Sequence, residues 1–407
     1  MTCRFCQAPL THVFIVLFNA PASNSFLREE NLAEPEVFYP LKVYVCDQCH
    51  LVQVDEYKKS DAIFNSEYVY FSSYSTSWLQ HSKQYTDDMV ARFGFGPSSL
   101  VMEIASNDGY LLQYFKEKGI PVLGIEPTRN TAEIAQSKGI ETRVEFFGTA
   151  LAERLVAEGL RPNLLLGNNV LAHVPDIVDF VRGMSILLAP DGVITMEFPH
   201  LMRLVENNQF DTIYHEHFSY LSFLTVQRIF ASQGLRLFDV EELPTHGGSL
   251  RIYATHEKNT RSTGPRVDAL LKEERARGME TPAFYDRFQE RALQVKLDLT
   301  SFLIEQKRAG KKVGAYGAAA KGNTLLNYAG IKQDLIAFVA DANPHKQGKY
   351  LPASHVPVVS EDRLREERPD YVIIFPWNLT PEITRQLDYI REWGGQFVIP
   401  IPHLRVL

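Results

Sequence analysis

Short apolar runs alternate with amphipathic stretches along the chain from residue 99 onward. The apolar runs read LVMEIAS, VLGIEP, LLLGNNV and GVITMEFP, and the stretches between them include YLLQYFKEKG, NTAEIAQSKG and IVDFVRGMSILL. The runs have the length of buried strands, whereas the stretches between them are helical in pattern. This alternation predicts an α/β fold with a mostly parallel sheet covered by helices, in which ligands bind beyond the carboxyl ends of the strands.

A similar pattern returns in the last hundred residues. The segment KKVGAYGAAAKGNTLLN predicts a strand, a glycine-containing turn and a helix, and further strands follow at LIAFVADANP, VPVVS, YVIIFPW and QFVIPIP. A second α/β sheet is therefore expected. The charged stretch before it, from about residue 261 to residue 310, has the periodicity of solvated helices that link two domains.

Length and charge narrow the class of protein. A chain of 407 residues is long enough for about two or three domains. Its formal net charge of -7 argues against a dedicated nucleic-acid binder, which needs a basic surface to neutralise phosphates. The apolar run near the N-terminus follows two cysteines rather than a basic region and ends without a clear cleavage site. We therefore expect a cytoplasmic monomer or homodimer without a nucleic-acid or membrane partner.

All four cysteines lie before residue 50, as the CxxC pairs Cys3 with Cys6 and Cys46 with Cys49. Two such pairs can place four thiolates at the corners of a tetrahedron, which is the geometry that zinc prefers. Four protein ligands leave no open coordination position, so the metal is expected to have a structural role. Redox-active cysteines and unpaired buried thiols are the alternatives.

The turn after the first central strand predicts a nucleoside site. This strand ends in EIASNDG, and the next strand ends in Glu126, at about the twenty-residue distance where a carboxylate accepts ribose hydroxyls. Both a dinucleotide and S-adenosylmethionine (SAM) fit this spacing. A pyrophosphate needs several glycines in the turn, and only Gly109 is present, so SAM fits better. The predicted SAM-binding residues are Glu103, Ala105, Asn107, Gly109, Glu126, Asn168 and Asn169.

Eight short motifs follow the paired CxxC sequences in order. They read EIASNDGYLL, GIEPT, EFFG, NNVLAHVPD, EFPH, YHEHFSYLS, THGGSLR and GAYGAAAKGNTLLN. Together they resemble the sugar C-methyltransferase family, which methylates nucleotide-linked keto-deoxysugars, and the resemblance covers nearly the whole chain. The common methyltransferase signature has more glycine than EIASNDG, but this replacement matches the family's own variant.

The resemblance implies a domain order for this chain. A zinc-binding domain is expected at residues 1–75, and a class I SAM-binding methyltransferase domain with a Rossmann-like sheet at residues 76–260. A helical linker at 261–300 then leads to a second Rossmann-like domain at 301–407, which helps to hold the nucleotide-sugar. The strands LRLFDVEELP and GSLRIYATH would be the terminal antiparallel strands of the methyltransferase sheet.

The segment DTIYHEHFSYLS concentrates two histidines, a glutamate and two tyrosines. Methylation of a carbon next to a ketone needs a base that removes a proton and a hydrogen-bond donor for the enolate oxygen. We predict His217 as the base, Glu216 as the residue that orients groups around it, and Tyr214 and His173 as contacts to the ketone or hydroxyls. His215 competes for the role of base, and Glu216 would point away from its neighbours if the segment were a strand.

Most of the remaining predicted site residues bind the substrate. Two tyrosines are expected to close the pocket from the N-terminal side: Tyr68, which is grouped with the catalytic residues, and Tyr70. The glycine-containing turn near the C-terminus can present backbone amides to a phosphate, with Lys321 adding charge. The predicted substrate-binding residues are Tyr70, His246, Gly317, Lys321, Asn323 and Asp341, with Ser72, Ser73 and Asn378 as weaker candidates without assigned roles.

The sequence thus favours SAM-dependent methylation of a TDP- or GDP-linked 4-keto-6-deoxysugar, with C3 as the expected position. One alternative is an NAD-dependent dehydrogenase that acts on a nucleotide-sugar and binds NAD at the C-terminal turn. Another is a non-catalytic protein that senses a ligand and binds a partner through its zinc domain. An O- or N-methyltransferase has the same fold but does not require C–H deprotonation, so the number of candidate bases favours carbon.

Overall fold

The computed structural model describes residues 1–57, 59 and 71–407. The strands of the described part of the chain are β1 His12–Ala20, β2 Tyr39–Val45, β3 Val52–Val54, β4 Val101–Ile104, β5 Val122–Ile125, β6 Thr142–Arg143, β7 Leu164–Asn168, β8 Val193–Pro199, β9 Ser219–Tyr220, β10 Leu235–Leu243, β11 Ser249–His256, β12 Val313–Tyr316, β13 Val339–Ala340, β14 Val358–Val359, β15 Tyr371–Ile374, β16 Gln396–Ile399 and β17 Arg405–Val406.

The α-helices of the same residues are α1 Thr76–Phe93, α2 Leu112–Glu117, α3 Arg129–Ser137, α4 Thr149–Ala157, α5 Ile177–Leu187, α6 Leu201–Glu206, α7 Phe223–Ser232, α8 Pro265–Ala276, α9 Pro282–Tyr285, α10 Phe288–Arg308, α11 Ala320–Ala329, α12 Asp362–Glu367 and α13 Thr380–Gln386. Short 3-10 helices include Leu171–His173, Phe210–Thr212 and Trp377–Leu379. In the described part of the chain, none of the helices combines the length and the hydrophobicity that a transmembrane segment requires.

The chain divides into two compact units. Unit one comprises Met1–Thr11, Val45–Leu201 and Phe218–Phe284. Unit two comprises His12–Tyr44, Met202–His217 and Tyr285–Leu407. Each unit therefore combines segments that are far apart in the sequence. The four-part division given by the sequence motifs stays a prediction.

Unit one contains a seven-stranded sheet with the strand order β10-β11-β8-β7-β4-β5-β6. Strand β4 pairs in parallel with β5 and β7, so Met102 lies opposite Leu123 on one side and Leu165 on the other. All residues of β4 and β7 are buried, as expected for parallel strands covered on both faces. Strands β10 and β11 run antiparallel to each other, and β11 runs antiparallel to β8. The predicted α/β fold, with its terminal antiparallel strands, is confirmed.

Helix α1 packs against this sheet because its large side chains recur on one face. The hydroxyl of Ser75 accepts a hydrogen bond from the backbone N–H of Trp78, and Gly94 ends the helix with a left-handed φ of 71°, as helix caps commonly do. Trp78, Tyr85 and Met89 belong to one buried cluster with residues of the sheet. This packing fixes the N-terminal turn of α1 in unit one.

Unit two contains a six-stranded sheet with the order β14-β13-β12-β15-β16-β17. The pairs from β14 to β16 are parallel, and β17 is antiparallel to β16. Strand β1 packs on α10 in the same unit, where the ring of Phe14 stacks on that of Phe288 with centroids 4.6 Å apart. The second predicted α/β sheet is therefore confirmed.

Candidate active site

Two matching turns bring the four cysteines together in unit one. The backbone N–H of Gln7 donates to the carbonyl of Cys3 at 3.0 Å, and that of His50 donates to the carbonyl of Cys46 at 2.9 Å. Gln7 and His50 both have left-handed backbones, with φ of 62° and 61°. The four sulfur atoms lie within 4.8 Å of one another and are free thiols. Each CxxC pair is thus folded in the same way, with its sulfurs turned towards the other pair.

The turn after β4 has several residues in the left-handed region. Ala105, Asn107 and Gly109 have φ angles of 57°, 49° and 74°. A Cβ atom at Gly109 would lie 2.5 Å from Cδ1 of Ile140, so both the conformation and the packing require glycine there. Strained backbone of this kind concentrates at ligand-binding turns, and this turn lies at the carboxyl end of a central strand.

Glu126, just after β5, holds the same turn in place. Its Oε2 accepts a hydrogen bond from the backbone N–H of Asn107 at 2.9 Å, and its Oε1 accepts from the backbone and side chain of Thr128. Burial raises the pKa of Glu126, and the hydrogen bonds with Thr128 oppose this rise. Burial also raises the pKa of Glu103 well above its usual range. Two predicted SAM-site carboxyls are therefore buried at neighbouring strand ends.

Asn168 is the last residue of β7, the strand that pairs with β4, and Asn169 follows it directly. Asn169 has a φ of 56°, and its Nδ2 lies 2.9 Å from Nε2 of His246, which itself has a φ of 54°. An amide nitrogen can only donate, so Nε2 of His246 is the acceptor. The ring of His246 also contacts that of Trp78 edge-on, with centroids 5.4 Å apart. A predicted substrate residue and a predicted SAM residue are thus brought together in unit one.

Unit one also holds a buried network around Glu197 that the sequence analysis did not predict. The Glu197 carboxylate accepts hydrogen bonds from His81, Thr245 and Arg251, each at 2.9 Å. Burial opposes its ionisation, but the His81 hydrogen bond and the Arg251 charge lower the pKa of Glu197 to about 2. Trp78 stacks on His81 with centroids 4.9 Å apart. These residues come from three distant segments, around His81, at Glu197 and in the motif THGGSLR, so no local spacing relates the three.

In unit two, Tyr214–His217 form a tight turn, named here the YHEH turn. The backbone N–H of His217 donates to the carbonyl of Tyr214 at 2.9 Å. The rings of these two residues lie 4.0 Å apart and are tilted by 33°. Both side chains are partly exposed, whereas His215 and Glu216 are each only 3% exposed. Because the segment is a turn, the strand alternation considered for Glu216 does not apply.

Each histidine of the YHEH turn has one ring nitrogen next to a backbone carbonyl. Nδ1 of His217 lies 2.8 Å from the carbonyl oxygen of Thr212, and Nε2 of His215 lies 3.1 Å from that of Pro40. A carbonyl oxygen only accepts, so each of these nitrogens carries the hydrogen. The lone pair of the neutral ring is therefore on Nε2 in His217 and on Nδ1 in His215.

Glu216 is oriented by a residue from the N-terminal part of the chain. Nδ2 of Asn24 lies 2.9 and 2.8 Å from the two Glu216 oxygens. Its neighbour Ser23 accepts, through its carbonyl, a hydrogen bond from the amide of Asn323 on α11. The hydroxyl of Thr324, also on α11, donates at 2.9 Å to the carbonyl just before the YHEH turn. Helix α11 thus supports both the turn and the segment that orients Glu216.

Lys321, in the first turn of α11, has a defined set of neighbours. Its Nζ donates to Oδ1 of Asn378 at 2.8 Å and lies 4.4 Å from the ring centroid of Trp377. Nε1 of Trp377 donates to Oδ2 of Asp211 at 2.7 Å. Burial lowers the pKa of Lys321 to about 8, and the charge of Asp211 opposes this. Burial raises the pKa of Asp211 to about 6, against the charge of Lys321 and the Trp377 hydrogen bond.

Gly317 directly follows β12, and Asp341 directly follows the neighbouring parallel strand β13. Gly317 has a φ of 86°, and a Cβ there would lie 2.4 Å from ring carbons of Pro376. Oδ2 of Asp341 accepts a hydrogen bond from the backbone N–H of Ala318 at 2.7 Å. Nζ of Lys346 is 3.8 Å from the same oxygen. Asp341 therefore fixes the turn that Gly317 begins.

The other predicted site residues are distributed over both units. His173 is partly buried at the end of a 3-10 helix in unit one. Tyr68 and Tyr70 lie outside the described residues. No role was predicted for Asn24, Asp211, Trp377 and Glu197. The one signal in the sequence was for Asp211, which is the first residue of the segment DTIYHEHFSYLS.

Comparison with known proteins establishes the family. Three family models match the chain: "Putative zinc binding domain" at residues 3–64, "Methyltransferase domain" at residues 78–240 and "C-methyltransferase C-terminal domain" at residues 244–402. The chain is 36% identical over 405 residues to C-methyltransferase NovU of Streptomyces niveus, covering 100% of this chain and 96% of NovU. The chain belongs to the C-methyltransferase family. It is a SAM-dependent enzyme, which sets aside the dehydrogenase and sensor interpretations.

More distant similarities are confined to part of this C-methyltransferase. A ubiquinone biosynthesis O-methyltransferase of Azorhizobium caulinodans is 27% identical over 116 residues, which is 26% of this chain and 46% of the relative. The crystal structure of magnesium protoporphyrin IX methyltransferase from Synechocystis PCC 6803 with bound SAM covers 44% of this chain and 79% of its own, with 16% identity and a TM-score of 0.34. A score this low carries no argument, and the assignment rests on NovU and the family models.

The residues at the carboxyl ends of the central strands of the C-methyltransferase fit SAM. Nδ2 of Asn168 and Oγ of Ser106 are buried, and no hydrogen bond from the described residues reaches either atom. Buried polar atoms are costly unless a ligand or water meets them. The turn at Gly109 and the Glu126 carboxyl add hydrogen-bonding groups without any cluster of glycines for a pyrophosphate. This set suits a ligand with polar groups and no phosphate.

The four cysteines fit a structural zinc ion. Sγ of Cys3 lies 3.5 Å from that of Cys49, and Sγ of Cys6 lies 3.4 Å from that of Cys46. Thiolates about 2.3 Å from a tetrahedral zinc ion lie slightly less than 4 Å apart, so only small shifts separate this arrangement from a zinc site. The contact between the two sulfurs lowers the pKa of Cys3 and raises that of Cys49, so it favours a thiolate at one of the pair. Thiolate character is what zinc requires of its ligands.

Proposed function

We propose that this C-methyltransferase methylates C3 of a nucleotide-linked 4-keto-6-deoxysugar. The geometry of the YHEH turn is the observation that carries this proposal. It combines an imidazole with one fixed nitrogen, a phenol 4.0 Å away between ring centroids and a buried, oriented carboxylate. An oxygen or nitrogen acceptor already has a lone pair, but a carbon must first lose a proton. A 4-ketone acidifies the hydrogens of its neighbours C3 and C5, and the motif resemblance favours C3.

His217 is the proposed base. The carbonyl of Thr212 binds its Nδ1–H, so Nε2 takes the proton from the sugar carbon, and the electron pair of the C–H bond moves into the enolate. A histidine suits this step because its pKa lies near the working pH. The buried Glu216 carboxylate stabilises the imidazolium that results. His215 is the weaker candidate because its side chain is 3% exposed and its lone pair is on Nδ1.

Hydrogen-bond donors complete the proposed catalytic set. The hydroxyl of Tyr214 stabilises the enolate oxygen, and His173 contacts the ketone or a neighbouring hydroxyl, as oxyanion stabilisers do in other enzymes. Tyr68 keeps its predicted catalytic role as part of this proposal. SAM, when bound, supplies an electrophilic methyl group whose sulfonium leaves as a neutral thioether. The SAM ligands proposed in unit one are Glu103, Ala105, Asn107, Gly109, Glu126, Asn168 and Asn169.

Unit two is proposed to bind the nucleotide-sugar. The turn at Gly317 lies at the carboxyl end of parallel strands, where phosphate ligands bind in such sheets. Lys321 supplies a cation for the diphosphate, and Asn323 and Asp341 lie at the same end of the sheet. His246, in unit one, and Tyr70, outside the described residues, are the other proposed substrate residues. The nucleotide is thymidine or guanosine diphosphate.

Isotope exchange tests the proposed chemistry. The enzyme is incubated in heavy water with TDP- and GDP-linked 4-keto-6-deoxysugars, with SAM or with an unreactive SAM analogue, and the sugars are analysed by mass spectrometry. We expect a gain of one methyl group with SAM and deuterium at C3 with the analogue. Methylation at oxygen, without any exchange at carbon, would contradict the enolate route.

Paired substitutions in the YHEH turn test the base. His217→Asn keeps a hydrogen-bond donor close to the position of Nδ1 but removes Nε2, so we expect turnover to fall roughly 10²- to 10⁴-fold. SAM affinity, measured by calorimetry, should be unchanged. His215→Gln keeps a hydrogen-bond donor close to the position of Nε2, so it is the matched control and should retain most of the activity. Normal turnover in His217→Asn, or a larger loss in His215→Gln, would remove His217 from the proposed role.

A further inference from the structure

The surroundings of Lys321 contain an acid that the proposed mechanism does not use. An ammonium group has three N–H donors, and Asn378 accepts a hydrogen bond from Nζ at 2.8 Å. The face of the Trp377 indole lies 4.4 Å from Nζ, a favourable position for a cation. The edge of the same indole donates to Asp211, whose side chain is only 1% exposed. Asp211 thus contacts Trp377, and Trp377 contacts the ammonium group of Lys321.

We propose that Asp211 is a positioning residue that acts through Trp377 to hold Lys321 as an ammonium ion at an anion site for a diphosphate. This inference rests on the proposed function, in which Lys321 binds the diphosphate of the nucleotide-sugar. It adds the two residues, Asp211 and Trp377, that keep a partly buried lysine charged for that purpose. Neither of them needs to touch the substrate.

Lys321 needs support because burial and the charge of Asp211 have opposite effects on its pKa. Burial favours the neutral amine and lowers the pKa of Lys321 to about 8, and the charge of Asp211 raises it. A neutral amine would lose its attraction for phosphate oxygens. Trp377 and Asn378, which contact Nζ, carry no formal charge. Among the described residues, Asp211 is the charged group that raises the pKa of Lys321. Its carboxylate binds the indole N–H at 2.7 Å and is therefore held in place.

The position of Asp211 links this site to the proposed base. Asp211 and Thr212 belong to the same 3-10 helix, Phe210–Thr212, and the carbonyl of Thr212 binds Nδ1 of His217. One short element thus orients the imidazole through its backbone and supports the ammonium group through a side chain. Both functions are served within unit two.

The experiment measures the binding of inorganic pyrophosphate to the full-length enzyme by calorimetry between pH 6.5 and pH 9. The variants are Lys321→Gln, Asp211→Asn and Trp377→Phe. The affinity of each protein is divided by that of Lys321→Gln at the same pH, so that the titration of pyrophosphate itself cancels. SAM affinity and thermal midpoint are recorded for every variant as checks of folding.

For the wild type we expect a ratio of roughly tenfold or more at pH 7, the effect of one charged hydrogen-bond donor. The ratio should fall towards one as the pH rises through about 8, where Lys321 loses its proton. In Asp211→Asn this decline should begin at a lower pH, since the supporting charge is gone. In Trp377→Phe the ratio at pH 7 should fall severalfold.

Two different failures are distinguishable. If Lys321→Gln binds pyrophosphate as the wild type does at every pH, the anion site itself is wrong, and that part of the proposed function falls with it. If Lys321→Gln weakens binding but Asp211→Asn and Trp377→Phe both keep the wild-type profile, only the positioning role of Asp211 is overturned. If Asp211→Asn does not fold, Trp377→Phe decides the question in its place.

Discussion

Asn24 shows how a neutral side chain can prepare a buried carboxylate. Its amide nitrogen lies within 3 Å of both oxygens of Glu216, and the Glu216 side chain is almost fully buried. A buried charge is penalised unless hydrogen-bond donors compensate it. Because the amide carries no charge, it orients the carboxylate without cancelling its negative charge. That charge remains available for the imidazolium proposed to form in the same turn.

We predict that Asn24→Ala lowers turnover about 10- to 100-fold, the effect of losing a hydrogen bond to a charged group of about 1.5–3 kcal/mol. The KM for SAM should be unchanged, and the thermal midpoint should fall by only a few degrees. Asn24→Asp is the comparison, since a second carboxylate next to Glu216 should reduce turnover further. Steady-state kinetics with both substrates varied would show whether the loss is in kcat, as expected for a positioning residue. Full activity in Asn24→Ala would contradict the proposal that Asn24 positions Glu216.

The sequence predicted which residues form the YHEH cluster, but it left His215 and His217 as competitors. Which histidine is the better candidate for the base depends on which of its ring nitrogens is bound to a carbonyl. One of those carbonyls belongs to Pro40, 175 residues from His215. Residue spacing carries no information about such contacts. The same holds for Asn24, which is 192 residues from Glu216.

The CxxC turns are elements whose geometry is set locally. In each, a left-handed residue four positions after the first cysteine closes the turn, Gln7 in one and His50 in the other. Only the residues within the turn are needed for this, so spacing alone was sufficient to predict the pairing of the four cysteines. What spacing could not predict is that residues 12–44, between the turns, belong to unit two. That assignment depends on long-range packing of β1 on α10.

Zinc is expected to stabilise unit one, with one ion per chain. Cys49→Ser should lose the metal and reduce the free energy of unfolding by several kcal/mol, because binding energy at a structural zinc site is folding energy. His50→Asn is the matched control, since asparagine tolerates the left-handed backbone and the imidazole is not an expected ligand. The measurements are zinc content by mass spectrometry and the thermal midpoint. Loss of zinc in His50→Asn, with zinc retained in Cys49→Ser, would contradict the four-cysteine site.

The strands were the best predicted elements, and the segments between them the least. Runs such as LLLGNNV and YVIIFPW are apolar because parallel strands are covered on both faces, so most strands of both sheets could be predicted. The exceptions are the two-residue strands β6 and β17, each at an end of its sheet. Residues 202–217 carry no such pattern. Their place in unit two is fixed instead by contacts with α11, such as the hydrogen bond from Thr324 to the carbonyl before Tyr214.

At the scale of the whole molecule, the two α/β sheets carry different ligand chemistry at the carboxyl ends of their strands. In unit one, the turn at Gly109 is accompanied by the buried carboxyls of Glu103 and Glu126, which are the proposed partners of the ribose hydroxyls. In unit two, the turn at Gly317 is accompanied by Lys321, which suits phosphate and repels a sulfonium. We propose that these few side chains direct SAM to unit one and the diphosphate to unit two.

This division predicts that one substitution can weaken the binding of SAM and another the binding of the diphosphate, each without affecting the other ligand. SAM at one hundred times its dissociation constant should stabilise the wild type by about 2.7 kcal/mol, measured as a rise in the thermal midpoint. Glu126→Gln should reduce the SAM shift and retain the pyrophosphate affinity, because the carboxylate that accepts the ribose hydroxyls is lost. Lys321→Gln should show the reverse pattern. A variant that loses both ligands while its unliganded thermal midpoint is unchanged would show that one residue serves both sites, and would contradict the assignment of SAM to unit one and of the diphosphate to unit two.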